Sequence, residues 1–161
     1  MSNKFEILMH QLDMPLEMRN SEAFLNAEIE EVLVHKVSRV WEFHFSFANI
    51  LPIEIFRELQ KRLAQEFSKT GNQAIFEIHC QAPQVSDELL QAYYQLAFEE
   101  GPCASHGFKS LYQDLRVHLD GDKLLIEGAS TIDTEHFRKN HLPNLSQQLV
   151  KYGFPQLTCQ V

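Results

Sequence analysis

Val40-Trp41-Glu42-Phe43-His44-Phe45-Ser46-Phe47 is the stretch on which the fold turns. Successive side chains of a strand point to opposite faces. Trp41, Phe43, Phe45 and Phe47 therefore share one face, and Val40, Glu42, His44 and Ser46 the other. Four aromatic rings on one side predict a strand with that side in a hydrophobic core. Upstream, apolar and polar residues roughly alternate from Ile29 to Val37, which predicts a second half-buried strand. A short turn at Ser38-Arg39 joins the two as a hairpin, although that pair is not a preferred hairpin dipeptide.

Downstream, Pro52 sits where a first helical residue tolerates it. Ile55, Phe56, Leu59, Leu63 and Phe67 then form one helical stripe, and Gly71 ends the helix. Residues 74–80 read as a strand with Phe76, Ile78 and Cys80 on one face. At the N-terminus, residues 2–12 carry Phe5, Leu8, Met9 and Leu12 at helical spacing, with Ser2 as cap and Pro15 closing the helix. A helix this short is marginal alone, so its stripe must dock on its own domain or on a partner. Phe5, Leu8, Met9 and Leu12 are thus the candidate partner-binding residues.

The second half repeats the grammar. Ser86 caps a connector helix with Leu89, Leu90, Tyr93 and Leu96, which Gly101-Pro102 stops. Leu115, Val117 and Leu119 alternate with Arg116 and His118, and Asp120-Gly121 supplies a strong hairpin turn into a return strand from Lys123 to Gly128. Asp133 caps a helix that Pro143 must kink or restart. Leu145, Leu149 and Tyr152 continue it to Gly153, and a strand spans Gln156 to Val161. Glu54-Ile55-Phe56-Arg57 lies over Glu135-His136-Phe137-Arg138 when the halves are aligned. The expected fold is α+β: two consecutive strand-strand-helix-strand units in KH-like order, joined by the connector helix and preceded by the N-terminal helix. The expected domains are residues 1–82 and 83–161.

Bulk properties narrow the function. The 161-residue chain is 44% hydrophobic and 22% charged, which argues against disorder. No apolar run approaches the ~20 residues that cross a bilayer, and Met1-Ser2-Asn3-Lys4-Phe5-Glu6 lacks the layout of a signal peptide. Cys80, Cys103 and Cys159 make an odd, widely spaced set, so reduced thiols and a cytoplasmic location are expected. With 14 basic residues against 22 acidic ones and a net charge of −8, strong nucleic-acid binding is not expected.

Catalytic and metal chemistry find little support. Cys103-x-x-His106 lacks the second ligand pair of a zinc site, His79 and Cys80 point to opposite strand faces, and His136 and His141 miss the helical spacing of paired ligands. Cys103 or Ser105 beside His106 has no orienting third group. Glu30-Glu31 and Glu99-Glu100 read as solvated surface. The glycines form neither a phosphate loop nor the Gly-x-x-Gly clamp of an RNA-binding KH module. The aromatic face of Val40–Phe47 could stack bases, but its partner face is not basic, so it reads as core. No catalytic residue, cofactor or metal is expected.

Several stretches resemble the start of Gram-positive PolC-type polymerases, the alpha subunit of DNA polymerase III. They are Phe5-Glu6-Ile7-Leu8-Met9, Val40-Trp41-Glu42-Phe43-His44-Phe45 running into Asn49-Ile50-Leu51-Pro52, and Glu66-Phe67-Ser68-Lys69-Thr70-Gly71-Asn72. The strongest are Gly101-Pro102-Cys103-Ala104-Ser105 with Gly107-Phe108-Lys109-Ser110-Leu111-Tyr112, and Lys139-Asn140-His141-Leu142-Pro143-Asn144-Leu145. The resemblance implies a fragment that precedes an OB-fold domain, a PHP domain enclosing a 3'-5' exonuclease, and the DNA-directed DNA polymerase core. The family's catalytic aspartates lie in those later regions, so none maps here. The first part of this region is also similar to the polymerase-binding domain of the clamp loader's tau subunit. The resemblance therefore implies a non-catalytic interaction module in DNA replication. Its expected partners are replisome proteins, tau first, and the remainder of the polymerase chain. The alternative is a KH-like module that contacts nucleic acid near the polymerase.

Overall fold

The structure is a computed structural model, and it describes residues 3–100, 112–127 and 142–160. The chain divides into two compact units, Met1–Gln84 and Val85–Val161, and both are α+β. In the first, α1 (Asn3–Gln11), α2 (Leu16–Arg19) and a 3-10 turn (Glu22–Phe24) precede β1 (Glu28–His35). β2 (Val40–Phe47), α3 (Ile53–Ser68) and β3 (Gln73–Cys80) follow. The sheet order is β1-β2-β3, with β1 antiparallel and β3 parallel to the central β2. Parallel neighbours need a crossover, and α3 supplies it.

The hairpin forms where its pattern placed it, and Arg39 takes a left-handed φ of 58° in the turn that lacks a favoured dipeptide. β1 pairs with β2 through Glu28↔Ser46 to His35↔Val40, with a bulge between Ile29 and Glu31. Gly71, at φ +73°, turns the chain from α3 into β3, and Asn72 N–H returns to Phe67 O at 3.0 Å. The inner face of the sheet carries the core. Phe45 and Phe47 are fully buried, and the Phe45 ring lies 5.5 Å from Phe76. Phe43 meets Phe67 of α3 edge-on at 5.5 Å, while Leu59 and Leu63 of α3 are fully enclosed. Trp41 shares this face but is only half-buried, tilted against Phe67 at 5.2 Å. It belongs to the first pair of residues of β2, at the end of the sheet, so fewer neighbours cover it.

Pro15 closes α1 and is also the N-cap of α2, since its fixed φ suits a helix start as well as a stop. The expected cap at Ser2 lies outside the described residues.

The second unit repeats the topology. β4 (Val117–Asp120), β5 (Lys123–Ile126), α5 (Leu142–Lys151) and β6 (Thr158–Gln160) form a sheet of order β4-β5-β6, again antiparallel then parallel. Gly121 takes φ +63° in the Asp120-Gly121 hairpin. The connector helix, α4 (Asp87–Glu99), is part of this unit's core. Its Leu90, Tyr93, Tyr94, Leu96, Ala97 and Phe98 are all buried. Ser86 caps it by accepting from Leu89 N–H at 3.1 Å. Gln91 then ties down the start of β4, donating to Leu115 O at 2.9 Å and accepting from Val117 N–H at 2.8 Å. Pro143 stands in the first turn of α5, where its missing donor costs nothing. The expected helix start at Asp133, the Glu135–Arg138 quartet, Cys103-x-x-His106 and His136 with His141 all fall outside the described residues.

Candidate docking site

Phe5, Leu8, Met9 and Leu12 are brought together on one face of α1 and are all buried in the first unit. Phe5 packs edge-on against Phe24, Phe45 and Phe47 at 5.2, 5.8 and 5.6 Å. Arg62 of α3 closes the C-terminal end of α1 by donating to the carbonyls of Leu12 and Asp13. Of the two destinations open to this stripe, the structure seats it at home. A partner could reach these four side chains only by lifting α1 off the aromatic core.

A run of exposed apolar residues lies elsewhere, on the first strand. β1 is an edge strand, and Val32, Leu33 and Val34 of its centre stay exposed, Val34 at 45%. Val37, in the following turn, is fully exposed at 102%. Val32 and Val34 stand in register with Phe43 and Trp41, at the margin of the inner face. Leu33 stands with Glu42 and, across β2, with Ile75, which is also exposed. An edge presents unpaired backbone donors and acceptors, and charged or bulged positions normally guard it. Here Glu30 marks the bulge and Glu28 and Glu31 flank it, which leaves Val32 to Val34 as the unguarded portion.

The rest of the outer face is a ladder of histidines and glutamates. His44 Nε2 lies 2.6 Å from Glu42 Oε2, and its Nδ1 is 3.9 Å from Glu77 Oε2. His35 Nε2 is 3.9 Å from Glu42 Oε1, and His79 Nδ1 is 3.3 Å from Glu30 Oε1. The Glu42 hydrogen bond, with the charges of Glu77, Glu42 and Glu31, raises the His44 pKa against the opposing effect of burial. A group whose pKa rises on folding stabilises the fold below its unfolded pKa of about 6.5, and that contribution is lost as pH climbs through the folded value. Melting temperature should therefore fall from about pH 6 to about pH 8 more steeply in the wild type than in His44→Gln. Parallel melting curves across that range would remove His44 from the account.

The described residues offer no group of three or more potential metal ligands, and none of their helices is long and apolar enough to cross a membrane. Cys80 is buried, which pushes its thiol up to about 11 and leaves it protonated and unreactive at neutral pH. Of the acidic pairs, Glu30 faces His79 and Glu100 accepts from the Tyr152 hydroxyl at 2.7 Å.

Two family models match. DNA polymerase III polC-type N-terminus I covers residues 4–78, and DNA polymerase III polC-type N-terminus II covers residues 92–161. The chain belongs to the PolC-type N-terminal family. It is 98% identical over all 161 residues to DNA polymerase III PolC-type of Streptococcus sanguinis. It is 64% identical over its whole length to the Streptococcus pneumoniae protein and 51% identical over 98% of its length to that of Streptococcus pyogenes. It spans 11% of the length of each of these relatives. No solved structure gives a significant match. The first PolC-type match falls within the unit that carries α1 and the β1 edge, and the second within the unit built around α4.

Sequence reasoning missed this edge because Val32 to Val34 read as ordinary strand residues. The signal was present as a run of three apolar residues where strict alternation would place a polar one at Leu33.

Proposed function

We propose that this PolC-type region is a non-catalytic docking module of a replicative DNA polymerase. On this reading it acts in DNA replication in the cytoplasm and binds another replisome protein, the clamp-loader tau subunit being the first candidate. Polymerase and proofreading chemistry belong to the remainder of the chain. Residues 1–82 and 83–161 serve as two separately folding domains, a division supported by the compact units that part after Gln84.

The observation that carries the reading is the β1 edge, where Val32, Leu33 and Val34 stay exposed on a unit whose aromatic core is otherwise closed. Exposed apolar strand edges are kept where a partner covers them and are otherwise liabilities. Addition of a partner's strand would satisfy the free backbone groups and shield the valines together. The nucleic-acid alternative has the geometry against it. Phe43, Phe45 and Phe47 are buried and unavailable for stacking, and the outer face presents Glu31, Glu42 and Glu77 toward any phosphate.

Capture of purified streptococcal tau by the immobilised chain tests this. Val32→Lys/Val34→Lys places two charges on the edge while their aliphatic stems keep the local packing. Tau capture should drop at least about tenfold, worth about 1.4 kcal/mol, with the melting temperature held. Undiminished capture by the folded double variant would rule out the β1 edge, and no capture by the wild type would rule out tau.

A further inference from the structure

Between α1, α2 and the 3-10 turn lies an open cleft of about 600 Å³, a size typical of ligand sites. Phe5, Met9 and Phe24 contribute its buried apolar wall, and Leu16 and Leu25 stand at its rim, 62% and 64% exposed. Arg19, the last residue of α2, lines the same cleft. Its Nη1 lies 2.9 Å from Nδ1 and 3.3 Å from Nε2 of His10, at the exposed end of the side chain. Its Nε is buried and has no hydrogen-bond partner, and no acidic side chain among the described residues pairs with it.

A guanidinium carries five donors and a permanent charge, and a carboxylate is its natural counterpart. Leaving such a group partly shut from water without an anion is costly, more so than leaving it fully hydrated. His10 answers only Nη1 and brings no negative charge, so Nε stays unmatched, and the exposed Leu16 and Leu25 line the same cleft. We infer that this cleft binds a peptide segment of a partner protein through one carboxylate on Arg19, flanked by large apolar side chains on Leu16 and Leu25. Glu6, also in the lining, repels a second acidic group, so the recognised segment holds one acid between apolar neighbours. The two exposed leucines favour a peptide over a small free acid, because a lone carboxylate would leave both uncovered. The inference shares with the docking reading only the premise that the occupant is a protein, and it uses a different surface from the β1 edge.

The test needs no replisome protein, so its failure leaves tau docking at β1 standing, and failure of tau capture leaves this test intact. Isotope-labelled chain is titrated with a synthetic pentapeptide pool that has Glu at the centre and Leu, Phe, Met or Ile at the other positions. A second titration uses the same pool with Gln at the centre, and a third uses sodium acetate. The Arg19 Nε–Hε signal and the methyl signals of Leu16 and Leu25 should move with the Glu pool. Half-saturation should come at a concentration at least tenfold lower than with the Gln pool, a difference of about 1.4 kcal/mol. Arg19→Gln should bring the two pools together, and Leu16→Ser should weaken both while preserving their ratio. The wild-type comparison stands even if a variant fails to fold. Equal response to the two pools, no response to either, or acetate moving the methyl signals as far as the Glu pool would each overturn the proposal.

Discussion

Leu8→Asp combined with Leu12→Asp should unfold the first unit. Both leucines are buried on the face of α1 that lies over the aromatic core. Each loses about 1.5 to 3 kcal/mol of apolar burial, and each new carboxylate must ionise in an apolar site or take up a proton to avoid it. Together the cost reaches about 5 kcal/mol or more, the scale of a small domain's whole stability. On the docking reading proposed above, tau capture should vanish with the fold, because the β1 edge stands on the same unit. A thermal melt and far-UV circular dichroism, run beside the capture assay, separate the possibilities. A double variant that keeps its melting temperature but loses its partner would mean α1 leaves the core to dock. One that keeps both would contradict the packing of α1 altogether.

Phe45→Ala should cost about 3 to 5 kcal/mol, the range for deleting a large aromatic from a closed core. Phe45 is fully buried, and its ring has the rings of Phe5, Phe43, Phe47 and Phe76 within 5.9 Å. Little can collapse into the space, because Phe5 is held by α1, Phe76 by β3, and Phe43 and Phe47 by the paired backbone of β2 itself. Trp41→Ala, on the same strand face, should cost distinctly less, about 1 to 2 kcal/mol, because the indole is only partly buried, against Phe67. Denaturant unfolding of the two variants side by side checks the order. A Trp41 variant as unstable as the Phe45 variant would place the indole deeper than it lies here.

Much of the first unit was legible in the chain. The strand at Val40–Phe47, the helix stripe from Ile55 to Phe67 and the strand ending at Cys80 formed close to where periodicity put them, since each has one strongly apolar face. The Asp120-Gly121 hairpin formed because its glycine tolerates a positive φ. The stretch from Leu16 to Ala27 was silent. Its short helix and 3-10 turn are too brief to leave a periodic pattern, and they build one side of the Arg19 cleft. That cleft joins residues that are unremarkable in sequence, an arginine and a histidine nine positions apart with Leu16 between them and Leu25 beyond. Only their packing around α1 makes one site of them.

The sequence by itself determined the α+β class, the order of the strands and longer helices and the PolC-type kinship, because local periodicity, turn chemistry and long shared words reside in the linear chain. It also supplied the amphipathic stripe of α1 but left its destination open, since a short apolar helix face satisfies its own aromatic core and a partner's groove equally well. Tertiary structure decided that question by placing Phe5 among Phe24, Phe45 and Phe47. It likewise decided which strand is the edge. Hydrogen-bond pairing is a relation between segments, and nothing within Glu28–His35 says that β2 lies on only one of its sides. Exposure of Val32 to Val34 follows from that pairing, as does the approach of His44 to Glu77 on the neighbouring strand.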